Sequence, residues 1–274
     1  MESKEVSAFL EAVRERAPLI HNITNTVVSN FNANGLLALG ASPVMANAVE
    51  EAADMALNSD ALVLNIGTLE ASQVEAMHLA GKAANEKGIP VVLDPVGAGA
   101  TSYRTQTVHE LLKDIKISIL RGNAAEIAAV AGLQSQIKGV DSAVDNKDTV
   151  RIALEAFQAL QVPVAVTGPK DAITDGDTIY TVENGHSMLT RITGSGCLSS
   201  AIIAAFLTVS PNTLEGAAAA LGFYGVSAER AEGYASMQGP GTFQVELLNA
   251  LYHVGEMEMK QQINIYKEVR TEGE

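Results

Sequence analysis

One cysteine, Cys197, stands in 274 residues, and there is no tryptophan. A lone thiol excludes an intrachain disulfide and any multi-cysteine zinc site, and it suits a reducing cytoplasm. Positive charge is also scarce: 18 Lys and Arg face 32 Asp and Glu, a formal net charge of −14. With a pI near 4.8, such a surface argues against binding nucleic acid or anionic membrane. Charged residues of both signs make up only 18% of the chain against 47% hydrophobic, which suggests extra apolar surface covered in an oligomer. The start, MESKEVSAFLEAVRERAP, lacks the uninterrupted apolar stretch of a secretory signal. The most apolar window, Cys197 to Val209, is too short to span a bilayer and reads as a buried helix. A cytoplasmic chain is expected.

What is present is an alternation. Short β-branched runs at 42–46, 61–66, 89–93, 117–120 and 162–166 are each followed by a turn and then by an Ala-rich stretch of helical length. This predicts an α/β fold, with a mostly parallel central sheet covered by helices on both faces. Helices are expected at 3–15, 26–39, 48–58, 70–87, 105–114, 123–131, 148–160, 197–208, 213–234 and 242–268, the last broken near Gly255. After Gly168 the segments AITDG, TIYTVENG and HSMLTRIT read as antiparallel edge strands joined by Asp-Gly and Asn-Gly turns. The polar segment 133–147 reads as an exposed loop. With no linker or repeat, a single domain over 1–274 is the simplest organisation.

Chemistry in such a sheet belongs where strands end and helices begin. Two familiar nucleotide signatures are missing. Neither Gly194-Ser-Gly-Cys-Leu-Ser199 nor Gly97-Ala-Gly-Ala-Thr-Ser102 carries the third glycine of a dinucleotide fingerprint, and Gly81-Lys82 has no glycine five residues earlier and no Ser or Thr after it. Thr193-Gly-Ser-Gly-Cys197, entering an apolar helix, is suited to gathering backbone N–H groups around an oxyanion or phosphate. It also reads as an ordinary glycine turn. Cys197 at that helix start is placed where the dipole favours a thiolate, although lone cysteines are commonly small buried hydrophobes.

Asp94 closes the strand IPVVLD before Pro95, Gly97 and Gly99. It can organise Mg²⁺ through water or simply accept hydrogen bonds within a turn. Arg121 and Glu126 in LRGNAAE offer a phosphate contact and a metal contact, while Asn123 with Glu126 has the spacing of a helix capping box, the plainer reading. Five asparagines between His21 and Asn34 can orient a neutral polar ligand, with Asn25 an alternative helix N-cap. Met45 is either core or an adaptable pocket wall.

Taken in order, HNITNTVVSNFNANGLLALGASPVMA, VVLDPVGAGAT, ILRGNAAEI, VAVTGPKDAITDG and TGSGCLSSAIIAAF resemble the hydroxyethylthiazole kinase family of the ribokinase-like superfamily, from about Pro18 to Leu251. The resemblance implies a three-layer ribokinase-like fold and ATP-dependent phosphorylation of the hydroxyl of 4-methyl-5-(2-hydroxyethyl)thiazole in thiamine salvage. It implies a homotrimer with active sites between subunits. Carried onto matching positions, it places Met45 and Gly194 against the thiazole, with Asn25 a further substrate-side candidate. Arg121 and Thr167 fall on ATP, and Asp94 and Glu126 near Mg²⁺ and phosphate. Gly194, Ser195 and Gly196 become the anion hole for the transferred phosphoryl group. Many related sugar kinases carry Asp where this chain has Cys197, so the catalytic part of Cys197, base or positioning group, stays open. The rivals are a ribokinase-like kinase of hydroxymethylpyrimidine or pyridoxal, and a ligand-binding regulator without turnover.

Overall fold

The computed structural model describes residues 1–133 and 146–270. Strands β1 (Leu19–Ile23), β2 (Ser42–Val44), β3 (Ala61–Asn65), β4 (Val91–Asp94), β5 (Ile119–Asn123), β6 (Val164–Thr167), β7 (Asp171–Thr174), β8 (Thr178–Val182) and β9 (Ile265–Val269) form one sheet. Their order is β2-β1-β3-β4-β5-β6-β7-β8-β9. The first six run parallel, and β7, β8 and β9 add an antiparallel edge.

Central strands such as β3 and β4 are buried along their whole length, as their unbroken apolar runs require when both faces are covered. One face carries α1 (Ser3–Arg16), α2 (Ser29–Leu39), α8 (Ser195–Leu207), α9 (Thr213–Ala235), α10 (Pro240–His253) and α11 (Glu256–Gln262). The other carries α3 (Ala52–Asn58), α4 (Ala71–Lys87), α5 (Ser102–Asp114), α6 (Ala124–Val130) and α7 (Asn146–Leu160). Helix α8 is buried from Cys197 to Leu207. Its all-round apolar composition suits a helix held between the sheet and a second helix. No helix among the described residues is long and apolar enough to cross a membrane.

Several sequence expectations need correction. Strand β1 was not anticipated, because His21 and Asn22 interrupt its apolar run. Both are nonetheless fully buried, His21 with Nε2 at 2.8 Å from the Ala46 carbonyl and Asn22 donating to the Ile20 carbonyl. The segment HSMLTRIT is not a strand but a 3₁₀ turn over Ser187–Arg191, because the His186 ring accepts the Met188 N–H and closes the chain locally. The chain beyond Gly255 is not helical to 268. It closes as the short α11 and then pairs β9 with β8, leaving only Ile265 of that edge strand buried. Helices α2 and α5 begin at Ser29 and Ser102 rather than at 26 and 105. Residues 134–145, most of the expected loop at 133–147, lie outside the described residues.

Close approach rather than turn geometry explains one helical glycine. A Cβ on Gly225 of α9 would stand 2.6 Å from the backbone carbon of Asn184, which itself bridges the Gln262 carbonyl and the Asn264 N–H. Gly225→Ala is therefore expected to destabilise by about 1–3 kcal/mol, despite alanine's better helix propensity. Gly233→Ala, in the same helix with open space around it, is expected to stabilise by up to about 1 kcal/mol. Denaturant midpoints of the two variants check this; a stabilising Gly225→Ala contradicts the packing argument.

Candidate active site

At the carboxyl edge of the sheet, in-register pairing of β3 with β4 sets Asn65 beside Asp94. Asp94 has no exposed surface. Its Oδ2 accepts 2.8 Å hydrogen bonds from Asn65 Nδ2 and Ser200 Oγ, and Arg121 Nη1 stands 3.8 Å away. Its Oδ1 is buried with no hydrogen-bond partner among the described residues. Burial pushes the Asp94 carboxyl up to about 6. Arg121 opposes that push, Glu126 adds to it, and the Ser200 and Asn65 bonds oppose it.

Arg121 rises from β5 almost buried, donates from Nη2 to Thr167 Oγ1 at 2.6 Å, and lies against the backbone of Gly196. A Cβ on Gly196 would come within 2.8 Å of Nη1, so the glycine lets the guanidinium reach the start of α8. Thr167 Oγ1 also reaches the Gly122 carbonyl, at 3.3 Å. In the sheet Thr167 pairs with Asn123 of the neighbouring strand.

The turn before α8 has Gly194 at φ +90°, where a Cβ would also meet Val28 at 2.7 Å. No side chain caps this helix, and the N–H groups of a helix's first turn have no intrahelical partner. Hydroxyls brace the turn from behind: Ser195 Oγ donates to the Leu189 carbonyl, Ser199 Oγ to the Gly196 carbonyl, and Tyr224 OH to the Ser195 carbonyl. Burial holds the Tyr224 phenol well above the ordinary range.

Cys197 is nearly buried in the first turn of α8, with Asn25 Nδ2 at 3.5 Å from Sγ. The sequence left open whether this cysteine is a dipole-favoured thiolate or a small buried thiol. Burial, reinforced by the Asp94 charge, pushes the thiol up to about 11, while hydrogen bonds from Asn65 and Asn25 and the charge of Arg121 only partly offset it. With the thiol raised that far, Cys197 is neutral at physiological pH.

The capping box expected at Asn123 and Glu126 is present. Asn123 Oδ1 accepts the Glu126 N–H, and Glu126 Oε2 accepts the Asn123 N–H. Yet Glu126 also takes the Gly97 N–H on Oε1 at 2.9 Å, so one carboxylate ties the loop after β4 to the head of α6. Met45 is half-buried just past β2, one residue from the carbonyl of Ala46 that His21 holds. Burial depresses the His21 imidazole below its ordinary range, so it is neutral.

Of the five asparagines in the first motif, Asn25 reaches the cluster. Asn30 and Asn34 bond along α2, Asn22 turns back on its own strand, and the buried side-chain amide of Asn32 has no hydrogen-bond partner among the described residues. Asn65, Ser200 and Arg104 were not singled out in the sequence. Arg104 donates to the carbonyls of Ile66, Val96 and Gly67, clasping the loops after β3 and β4 together. A polar residue ending the apolar run ALVLN was the available signal for Asn65. Ser200, one helical turn beyond Cys197, shares its face of α8. Two surface cavities, of about 270 and 360 Å³, lie elsewhere, one at the opposite edge of the sheet and one between α9 and α10.

A mostly parallel sheet with an antiparallel edge thus brings a cation, a carboxylate and a glycine turn together at its carboxyl edge. The same fold is seen in a ribokinase-like superfamily protein from Enterococcus faecalis, with TM-score 0.63 and 10% identity over 93% of this chain and 96% of that one. It is also seen in an ADP complex of Bacillus subtilis pyridoxal kinase, with TM-score 0.56 and 17% identity over 77% and 92%. The model of the hydroxyethylthiazole kinase family matches residues 10–257. A hydroxyethylthiazole kinase protein from Pyrococcus horikoshii is 41% identical over 96% of this chain and 99% of that one, with TM-score 0.88. The chain belongs to the hydroxyethylthiazole kinase family.

Asp94 gives a testable pH signature. Its folded pKa lies above the ordinary 3.8, so the group favours folding least where it is ionised in both states, above about pH 6, and the penalty vanishes below about 4. Asp94→Asn is therefore expected to abolish turnover while raising stability at pH 7.5 by up to about 3 kcal/mol, with the gain gone near pH 4. Calorimetric melting across that range checks it; a gain that grows toward acid pH contradicts the sign.

Proposed function

We propose that the protein transfers the γ-phosphoryl group of ATP to the hydroxyl of 4-methyl-5-(2-hydroxyethyl)thiazole, a salvage step toward thiamine. Membership of the family supports the kinase activity. The observation that carries the placement is the buried Asp94–Arg121 pair facing the uncapped glycine turn of α8. ATP lies along the strand ends beside Arg121 and Thr167. The acceptor lies beside Asn25, Met45 and Gly194. The transferred group passes over the N–H groups of Gly194, Ser195 and Gly196, where fixed donors stabilise charge without reorganising.

Asp94 and Glu126 fit a magnesium site of the kind that relies mostly on water and nucleotide phosphate. Asp94 Oδ1 has no hydrogen-bond partner among the described residues, Glu126 stands near enough to raise the Asp94 pKa, and hard oxygen donors suit the ion. Bound there, Mg²⁺ would neutralise phosphate charge. Among the described residues no cluster of three or more potential ligands exists, in keeping with an ion that arrives with its nucleotide. The acidic net charge does not oppose this, because Arg121 and the helix start act locally while distant charge is screened over roughly 8 Å.

Cys197, a thiol rather than a thiolate, holds the acceptor hydroxyl in line by hydrogen bonding. We place the working enzyme in the cytoplasm as a homotrimer of single-domain chains with sites between subunits. Val27 and Leu37 support this, exposing apolar side chains just before and on α2, the segment whose Val28 and Phe31 lie against Gly194. Hydroxymethylpyrimidine or pyridoxal remains the alternative acceptor.

A coupled ADP-release assay tests the reading: hydroxyethylthiazole is expected to stimulate strongly, and pyridoxal and hydroxymethylpyrimidine little. Equal turnover of all three, or none, removes the assignment. Cys197→Ala is expected to lower kcat by about tenfold to a hundredfold while retaining thiazole-dependent ADP release and ATP affinity. Wild-type turnover in that variant would reduce Cys197 to packing. Glu126→Gln, which keeps the cap, is expected to lower activity and weaken its Mg²⁺ dependence with little change in melting temperature; an unchanged Mg²⁺ titration eliminates the metal role.

A further inference from the structure

Asn65 has no exposed surface and uses both ends of its amide. The Gly67 N–H stands 3.0 Å from one end. A backbone N–H only donates, so the atom facing it must be Oδ1. Asn65 Nδ2 is thereby directed at Asp94 Oδ2, 2.8 Å away. The remaining contact of Asn65 Oδ1, at 2.9 Å, must then be a donor, which turns Asn25 with Nδ2 inward. That same nitrogen is the one 3.5 Å from Cys197 Sγ, so the sulfur accepts from Asn25, in addition to the Asn65 hydrogen bond noted above, and its own proton points elsewhere. Asn25 Oδ1 is the end of the amide this chain of bonds does not use.

We propose that Asn65 is a positioning residue that sets both halves of the site with one amide. On the acceptor side it fixes the direction of Asn25 and hence the donor presented to Cys197. On the phosphoryl side it fixes Asp94 through Oδ2, so that the unpartnered Oδ1 is the oxygen left for catalysis. Gly67 is part of the device. A Cβ there would stand 2.6 Å from Asn25 Nδ2, and only a glycine lets the Asn25 amide lie over the backbone that orients Asn65.

The inference rests on the acceptor placement given above, and the test separates the two. Asn65→Asp is nearly isosteric. It keeps an acceptor for Gly67 and Asn25 but sets an oxygen against Asp94 Oδ2 in place of a donor. Its kcat is expected to fall by about tenfold or more. The dissociation constant for hydroxyethylthiazole, measured by calorimetry without nucleotide, is expected to stay within about threefold. Asn65→Leu removes both arms, so kcat falls and acceptor binding weakens by about tenfold or more as well. A purely structural residue would give no such split. If kcat and acceptor binding change by one common factor in both variants, or stay at wild-type values, the proposal is overturned. Should Asn65→Leu fail to fold, the split in Asn65→Asp alone decides. If the wild-type protein neither binds nor turns over hydroxyethylthiazole, the acceptor assignment fails instead, and the same two ratios are read with whichever alcohol of the panel is phosphorylated.

Discussion

Asp94 carries a carboxylate into a position with no exposed surface, at the end of a strand buried on both faces, and much of the molecule around it answers that charge. Stripping water from an ionised group costs far more than a single hydrogen bond returns. The return here comes from several directions: Ser200 from α8, Asn65 from β3 and Arg121 from β5. Each comes from a different element, so the charge is tolerated only when sheet and helix are assembled together. The offset is incomplete, as the raised pKa records. On the function proposed above, the residual cost is retained because Oδ1, without a hydrogen-bond partner among the described residues, is the oxygen available to chemistry.

The glycine turn before α8 complements the carboxylate with the opposite electrostatic character. Gly194 supplies a left-handed φ that a side chain would strain, and Gly196 supplies clearance for Arg121. Hydroxyls of Ser195, Ser199 and Tyr224 donate to carbonyls around the turn, while the N–H groups of the first turn have no intrahelical partner. A fixed cation and fixed donors thus face the negative charge across a short gap. Phosphoryl transfer depends mainly on such positioning, and a neutral thiol at Cys197 is compatible with it.

Rigidity at this edge comes from ties between loops rather than from the loops themselves. Arg104 binds three carbonyls across the turns after β3 and β4, and Glu126 bridges the β4 turn to α6 while capping that helix. Glu126 shows that a helix cap and a tie between loops are not exclusive roles for one residue. Its capping bond fixes the rotamer that its other oxygen needs.

Much of the architecture was legible in the chain. Unbroken apolar runs at 61–66 and 89–93 marked doubly covered strands, and the glycines at 194 and 196 marked the turn, because local composition and backbone freedom act over a few residues. Legibility failed where a tertiary partner overrode local pattern. β1 is a strand although His21 and Asn22 interrupt it, since both find bonds once buried, and β9 exists only because β8 lies beside it. Within the site the sequence by itself determined which chemical groups are present: one thiol, one carboxylate after Leu93, one guanidinium after Leu120. It could not determine their protonation or direction. Cys197 is a thiol and not a thiolate because burial and the Asp94 charge outweigh the Asn65 and Asn25 hydrogen bonds and the Arg121 charge. Asn65 acquires its place because parallel register sets it beside Asp94. Those are decisions of solvent exclusion and through-space distance, which act between residues far apart in the chain and exist only once it is folded.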